Sequence, residues 1–180
     1  MKCVIFLAEG FEEVEALCPA DMLRRGGVEV VLAGVDGKTV TGARGISVNA
    51  DTLLRDIDFV PDCAVLPGGN PGFKNLGKSD AVKELTLKTY EKGGVVAAIC
   101  AAPTVLSSYG LLKGKKACVY PGMEGMLDCG EVSYDKVVRD GRIITSRGAG
   151  TAMDFSLALV GALVSEEAAR TLATQVVFEK

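Results

Sequence analysis

Gly94-Val95-Val96-Ala97-Ala98-Ile99-Cys100-Ala101-Ala102-Pro103 is the stretch that decides the fold. Its first six residues are small or apolar, too few for a buried helix and partly β-branched, which predicts an interior strand. Pro103 suits a first helical turn, where its missing N–H leaves no bond unmade, and a helical pattern follows. The chain therefore turns from strand to helix at Cys100. A side chain on such a corner stands above the sheet, with N–H groups of the helix start pointing at it. Alanines at 98, 101 and 102 keep the crowded turn free of bulk. This environment predicts an unusually acidic thiol. A buried structural cysteine is the competing reading, since free cysteine is among the most buried residue types; exposure decides between them.

Outward from the corner, strand-like and helix-like runs alternate. Cys3 to Leu7 is followed by a helix over about 12–25 and a strand over 28–33. A pair of short strands lies between Gly37 and Val48, with Asp36-Gly37 marking a hairpin turn. The buried run Cys63 to Leu66, a helix over about 80–92 and the strand ending at Cys100 come next. Ala117 to Tyr120 and the pair 132–138 and 142–145 complete the strands. A helix begins near Thr151, whose spacing to Asp154 matches a capping box, and another follows Ser165 with Glu166 and Glu167 in its first turn. Apolar, non-alternating strands separated by helices predict an α/β fold, a mostly parallel sheet covered on both faces by helices.

The chain has 180 residues, 48% of them hydrophobic, and a net charge of −3. That length suits one domain over 1–180, and the scattered cations form no basic stripe for nucleic acid. The apolar stretches 95–103 and 157–164 are too short to span a bilayer, and the N-terminus reads as a first strand rather than a signal peptide. Six cysteines stand singly at 3, 18, 63, 100, 118 and 129, a distribution expected of reduced thiols in a cytoplasm. Histidine is absent. Without it neither a zinc set nor a Cys–His or Ser–His–Asp arrangement is expected. An acid–base partner for Cys100 must then be Glu, Asp, Tyr, Lys or another Cys, unless a second chain supplies it.

Ligands of such folds bind at the carboxyl ends of strands. Those ends give the loops 8–15 and 66–72 and the corner at Cys100, which converge if the strands are neighbours. Gly68 and Gly69 would let main-chain N–H groups approach the sulfur or a substrate oxygen, although Pro-Gly-Gly-Asn also reads simply as a turn. On a helical wheel Val14, Cys18 and Met22 form an inward stripe, with Glu15 on its edge and Glu12 on the far side. Burial would raise the Glu15 carboxyl above its usual value of roughly 4.3, so that it donates a hydrogen bond to a thiolate; a solvated charge at an acidic helix start is the alternative.

The elements Ala8-Glu9-Gly10-Phe11-Glu12-Glu13-Val14-Glu15, Arg24-Arg25-Gly26-Gly27-Val28, Leu66-Pro67-Gly68-Gly69-Asn70, Ala97 to Pro103 and Thr145-Ser146-Arg147-Gly148-Ala149-Gly150-Thr151 together resemble the ThiJ/PfpI superfamily, in its DJ-one branch. The resemblance implies a flavodoxin-like three-layer sandwich, a homodimer, and a nucleophilic, oxidation-sensitive thiol at Cys100 with Glu15 as the protonated acid bonded to it. Gly69 and Ala101 would supply N–H groups, Gly68 and Tyr120 would line the pocket, and Arg25 and Arg44 would stand near it on the dimer side, holding an anion. It further implies a cofactor-free and metal-free glyoxalase or protein deglycase. The substrates would be small 2-oxoaldehydes such as methylglyoxal, or glycated protein side chains. The alternative is an oxidative-stress sensor or redox-regulated chaperone that oxidises Cys100 without turnover. Tyr120 stands before Pro121 where family members often carry histidine, and tyrosine, with a pKa of about 10, is a poor base near neutrality. A protease is not expected, because position 101 is Ala where peptide-cleaving members place histidine.

Overall fold

Side chains alternate between the two faces of a strand, so a strand covered on both sides must be apolar throughout. Cys3–Leu7, Cys63–Leu66 and Val96–Ile99 meet that condition, with no accessible surface on any residue. The computed structural model, which describes residues 1–178, has strands β1 (Lys2–Leu7), β2 (Glu29–Gly34), β3 (Thr39–Thr41), β4 (Ser47–Asn49), β5 (Thr52–Leu53), β6 (Cys63–Leu66), β7 (Val95–Ile99), β8 (Lys116–Ala117), β9 (Glu131–Val132), β10 (Val137–Asp140) and β11 (Ile143–Ser146). Its helices are α1 (Glu13–Arg25), α2 (Gly72–Lys78), α3 (Asp80–Glu91), α4 (Pro103–Ser108), α5 (Ala152–Leu163) and α6 (Glu166–Gln175).

The main sheet has seven strands in the order β10-β11-β7-β6-β1-β2-β5. Its pairings are parallel except for β10 on β11. Cys3, Ile5, Leu7, Val65, Ala97 and Ile99 face α1, α5 and α6 through Leu23, Phe155, Leu159 and Leu172. Val4, Phe6, Ala64, Leu66, Val96 and Ala98 face the opposite layer through Leu76, Val82, Val105 and Leu106. The result is the expected three-layer, flavodoxin-like α/β sandwich. No helix among the described residues is long and apolar enough to cross a membrane.

Several local expectations are corrected. The β3–β4 hairpin turns through 42–46, where Gly45 takes the left-handed φ of 83°; Asp36-Gly37 lies in the connection before it. The run 117–120 is strand only at its start: β8 pairs in parallel with β9 outside the main sheet, which splits 132–138 between two sheets. Thr151 does not cap α5, because its hydroxyl is used by Gly148 and Ser146, and Asp154 turns to Lys136 at 3.5 Å. Ser165 does cap α6, its Oγ accepting the Ala168 N–H at 3.0 Å.

Candidate active site

Strands β7, β6 and β1 lie side by side and run the same way, so the corner at Cys100 and the loops after Leu66 and Leu7 meet at one edge. Cys100 has φ of 64°, a left-handed conformation that costs a residue with a side chain and persists only where its surroundings hold it. Here they do. The Cys100 N–H donates to the Ser146 carbonyl at 3.0 Å, and its carbonyl accepts the Tyr120 N–H at 2.8 Å. The side chain is half-buried.

Glu15, in the first turn of α1, is 1% exposed. Its Oε2 accepts the Gly68 N–H at 2.9 Å, and the carboxyl lies within side-chain hydrogen-bonding reach of the Cys100 sulfur. The N–H groups of Gly69 and Ala101 also lie near enough to the sulfur to favour its charged form. Gly68 is glycine for steric reasons: a Cβ there would stand 2.7 Å from both Cys100 Cβ and Glu15 Oε2. Gly68→Ala should therefore force the pair apart, lowering stability in urea unfolding by about 1–3 kcal/mol and changing the Cys100 alkylation rate; no change in either would mean that the methyl is accommodated.

The helical face differs from the wheel. Glu15, Ala16, Pro19, Met22 and Leu23 are buried, whereas Val14 is 49% exposed and Cys18 is half-buried against Ser156. Periodicity orders residues around a helix but does not say which side meets the sheet. Glu12 is not on a far side at all. It precedes the helix with extended backbone, φ −83° and ψ 118°, so helical geometry does not apply to it. Its carboxylate, 15% exposed, pairs with the Arg44 guanidinium at 3.4 Å.

A cavity of about 480 Å³ opens over the sulfur and is lined by Cys100, Glu15, Gly69, Ala101, Tyr120 and Arg44. Glu12, Asn70, Phe73, Lys74, Met123 and Ala149 also line it and were not anticipated. Phe73 and Lys74 belong to α2, a helix hidden behind the apparent turn at 67–72. Within this chain Arg25 ends α1, roughly 15 Å along the axis from Glu15, and pairs with Asp21 at 2.9 Å. Among the described residues no group of His, Cys, Asp or Glu is arranged to hold a metal ion.

Burial pushes the Glu15 carboxyl up to about 7, against the downward pull of the Cys100 and Gly68 hydrogen bonds. The acidic thiol expected at the corner is corrected. Burial first, then the charge and hydrogen bond of Glu15, push Cys100 up to about 12, and the Ala101 and Gly69 N–H groups only partly offset this. The corner does aim N–H groups at the sulfur, but a neighbouring carboxylate in a half-buried site outweighs them. Below about pH 7 both groups therefore keep their protons, and above it the pair carries one negative charge, on the Glu15 carboxyl.

The chain is 43% identical over 172 residues to Protein DJ-1 homolog B of Arabidopsis thaliana, covering 93% of this chain but 39% of that longer protein. To Protein dj-1beta of Drosophila melanogaster it is 41% identical over 177 residues, 96% of this chain and 94% of the fly protein. It is 34% identical over 171 residues to the Caenorhabditis elegans protein named glutathione-independent glyoxalase DJR-1.2, covering 94% and 91% of the two chains. The solved structure of oxidized Toxoplasma gondii DJ-1 matches the fold with a TM-score of 0.96 at 35% identity over 99% of each chain. Residues 1–162 match the sequence profile of the DJ-1/PfpI family, and the chain belongs to that family.

Proposed function

We propose that this protein is a cysteine-dependent enzyme converting 2-oxoaldehydes such as methylglyoxal, or the early adducts they form on protein side chains, into 2-hydroxy acids without glutathione. The observation that carries this reading is the buried Glu15 carboxyl, held near pKa 7 against Cys100. A carboxyl so tuned exchanges protons in both directions at neutral pH. The name of the nematode relative agrees with it.

In this mechanism the thiol does not ionise in advance. As the sulfur adds to the aldehyde carbon, the Glu15 carboxylate takes the thiol proton and passes it to the aldehyde oxygen, giving a hemithioacetal and a carboxylate ready for the next step. The N–H groups of Gly69 and Ala101 face the developing oxyanion. Glu15 then moves the C1 hydrogen to C2 through an enediol. C1 is thereby oxidised and C2 reduced, so electrons balance within the substrate. Water cleaves the resulting thioester to the 2-hydroxy acid and regenerates the thiol. Tyr120 is not needed as a base. The test is to incubate the purified protein with methylglyoxal in the absence of glutathione: lactate should accumulate catalytically, and none would overturn the reading.

A second reading, a redox sensor, draws on the same donors: Glu15 and the N–H groups of Gly69 and Ala101 would hold the oxygens of a Cys100 sulfinate. The oxidized state of the Toxoplasma structure agrees with it. Two equivalents of peroxide would convert thiolate to sulfinate and water. Mass spectrometry should then find two added oxygens on the Cys100 peptide in preference to those of Cys18 and Cys129. Such selectivity without lactate formation would favour the sensor, and indiscriminate oxidation would remove it.

A further inference from the structure

Glu13 lies between the two carboxylates of the site yet reaches neither the cavity nor the sulfur. It is 5% exposed. Its Oε1 accepts the backbone N–H of Arg44 at 2.8 Å and of Ile46 at 3.3 Å. Gly42 packs so closely on the carboxyl that a Cβ there would overlap it. Its Oε2 is buried with no partner, an arrangement that costs stability and that burial of a neutral side chain would avoid.

We propose that Glu13 is a positioning residue whose carboxyl clamps the tip of the β3–β4 hairpin and so holds the Arg44 guanidinium against Glu12 at the mouth of the Cys100 cavity. The strand end and turn are also fastened by Gly10 N–H to the Thr41 carbonyl at 2.8 Å, Ala43 N–H to the Phe11 carbonyl at 2.7 Å, and Thr41 N–H to the Glu9 carboxylate at 3.1 Å. Of these groups only the Glu13 carboxyl holds the backbone of Arg44 itself and of Ile46 beyond it. Glu15 feels what the tip carries: Cys100 faces it from the corner and Glu12 and Arg44 from the loop and hairpin, while Lys74 and Tyr120 stand on the remaining cavity walls. The charge of Glu12 raises the Glu15 carboxyl and that of Arg44 lowers it. A displaced Arg44 leaves Glu12 unopposed and makes the Glu15–Cys100 pair harder to ionise.

The inference rests on the proposed function only in taking that pair as the reacting one. Its readout is the pH dependence of iodoacetamide alkylation at Cys100, followed on the Cys100 peptide by mass spectrometry, which requires no turnover and so fails independently of lactate formation. Arg44→Gln, at a side chain 73% exposed, should raise the lower apparent pKa of that profile by about half a pH unit. Glu13→Ala should raise it equally, Glu13→Gln, which keeps the accepting oxygen, should leave it in place, and Glu13→Ala should add nothing in the Arg44→Gln background. An unmoved profile in Arg44→Gln or Glu13→Ala, additive shifts in the double variant, or a Glu13→Gln shift matching that of Glu13→Ala would each overturn the assignment. Should Glu13→Ala not fold, Gly42→Ala pushes the tip off the same carboxyl with every charge retained; it should give the upward shift, and its absence would overturn the assignment.

Discussion

Cys100→Ser is expected to abolish lactate formation from methylglyoxal, by about 1000-fold or more, while leaving the fold intact. Serine occupies nearly the same volume, so the backbone hydrogen bonds of the corner, to the Ser146 carbonyl and from the Tyr120 N–H, are retained. What is lost is chemical. A hydroxyl holds its proton far more tightly than a thiol, and a carboxylate with pKa near 7 cannot remove it as the oxygen attacks. The hemithioacetal with sulfur is also the species that becomes a hydrolysable thioester. The measurement is steady-state lactate production alongside thermal unfolding. Turnover within tenfold of wild type in a folded Cys100→Ser protein would remove the cysteine from the reaction.

Glu15→Gln is expected to move activity and stability in opposite directions. Turnover should fall by about 100- to 10,000-fold, the usual weight of a positioned acid–base group. Gln keeps an oxygen for the Gly68 N–H but cannot shuttle a proton. Stability should rise at alkaline pH, because burial raises the folded carboxyl from 4.5 to about 7. A raised pKa contributes stability that is whole below the unfolded value and is lost as pH increases through the folded one. At pH 4 variant and wild type should therefore unfold alike, and at pH 8 the variant should be more stable by about 2–3 kcal/mol. Urea titrations at the two pH values test this. A variant less stable at pH 8 would show that the charged carboxylate is well accommodated. Stability spent on an awkward buried acid is a common cost of function.

The interior strands and the corner were legible because burial on both faces leaves a run such as Cys63–Leu66 no polar position, and because only a strand-to-helix junction accommodates Cys100 before Pro103. Glu15 was legible as a carboxyl near an apolar stripe. What escaped was set by contacts remote in sequence. The bond that orients Glu15 comes from Gly68. Glu12 reaches the cavity only because the residue before α1 is extended, and Arg44 arrives on a hairpin tip at 42–46 that the stronger local turn signal, Asp36-Gly37, does not mark. The sign of the thiol shift failed for a physical reason: helix-start N–H groups lower it, but burial and a carboxylate neighbour raise it more.

Infrared difference spectroscopy of wild type against Glu15→Gln, titrated from pH 5 to 9, reads the Glu15 proton directly. The carbonyl band of a protonated carboxylic acid should be present at pH 6, absent from the Gln variant, and lost with an apparent midpoint near 7. A Glu15 already ionised at pH 6, titrating as an ordinary carboxylate, would contradict the raised carboxyl on which the chemistry depends.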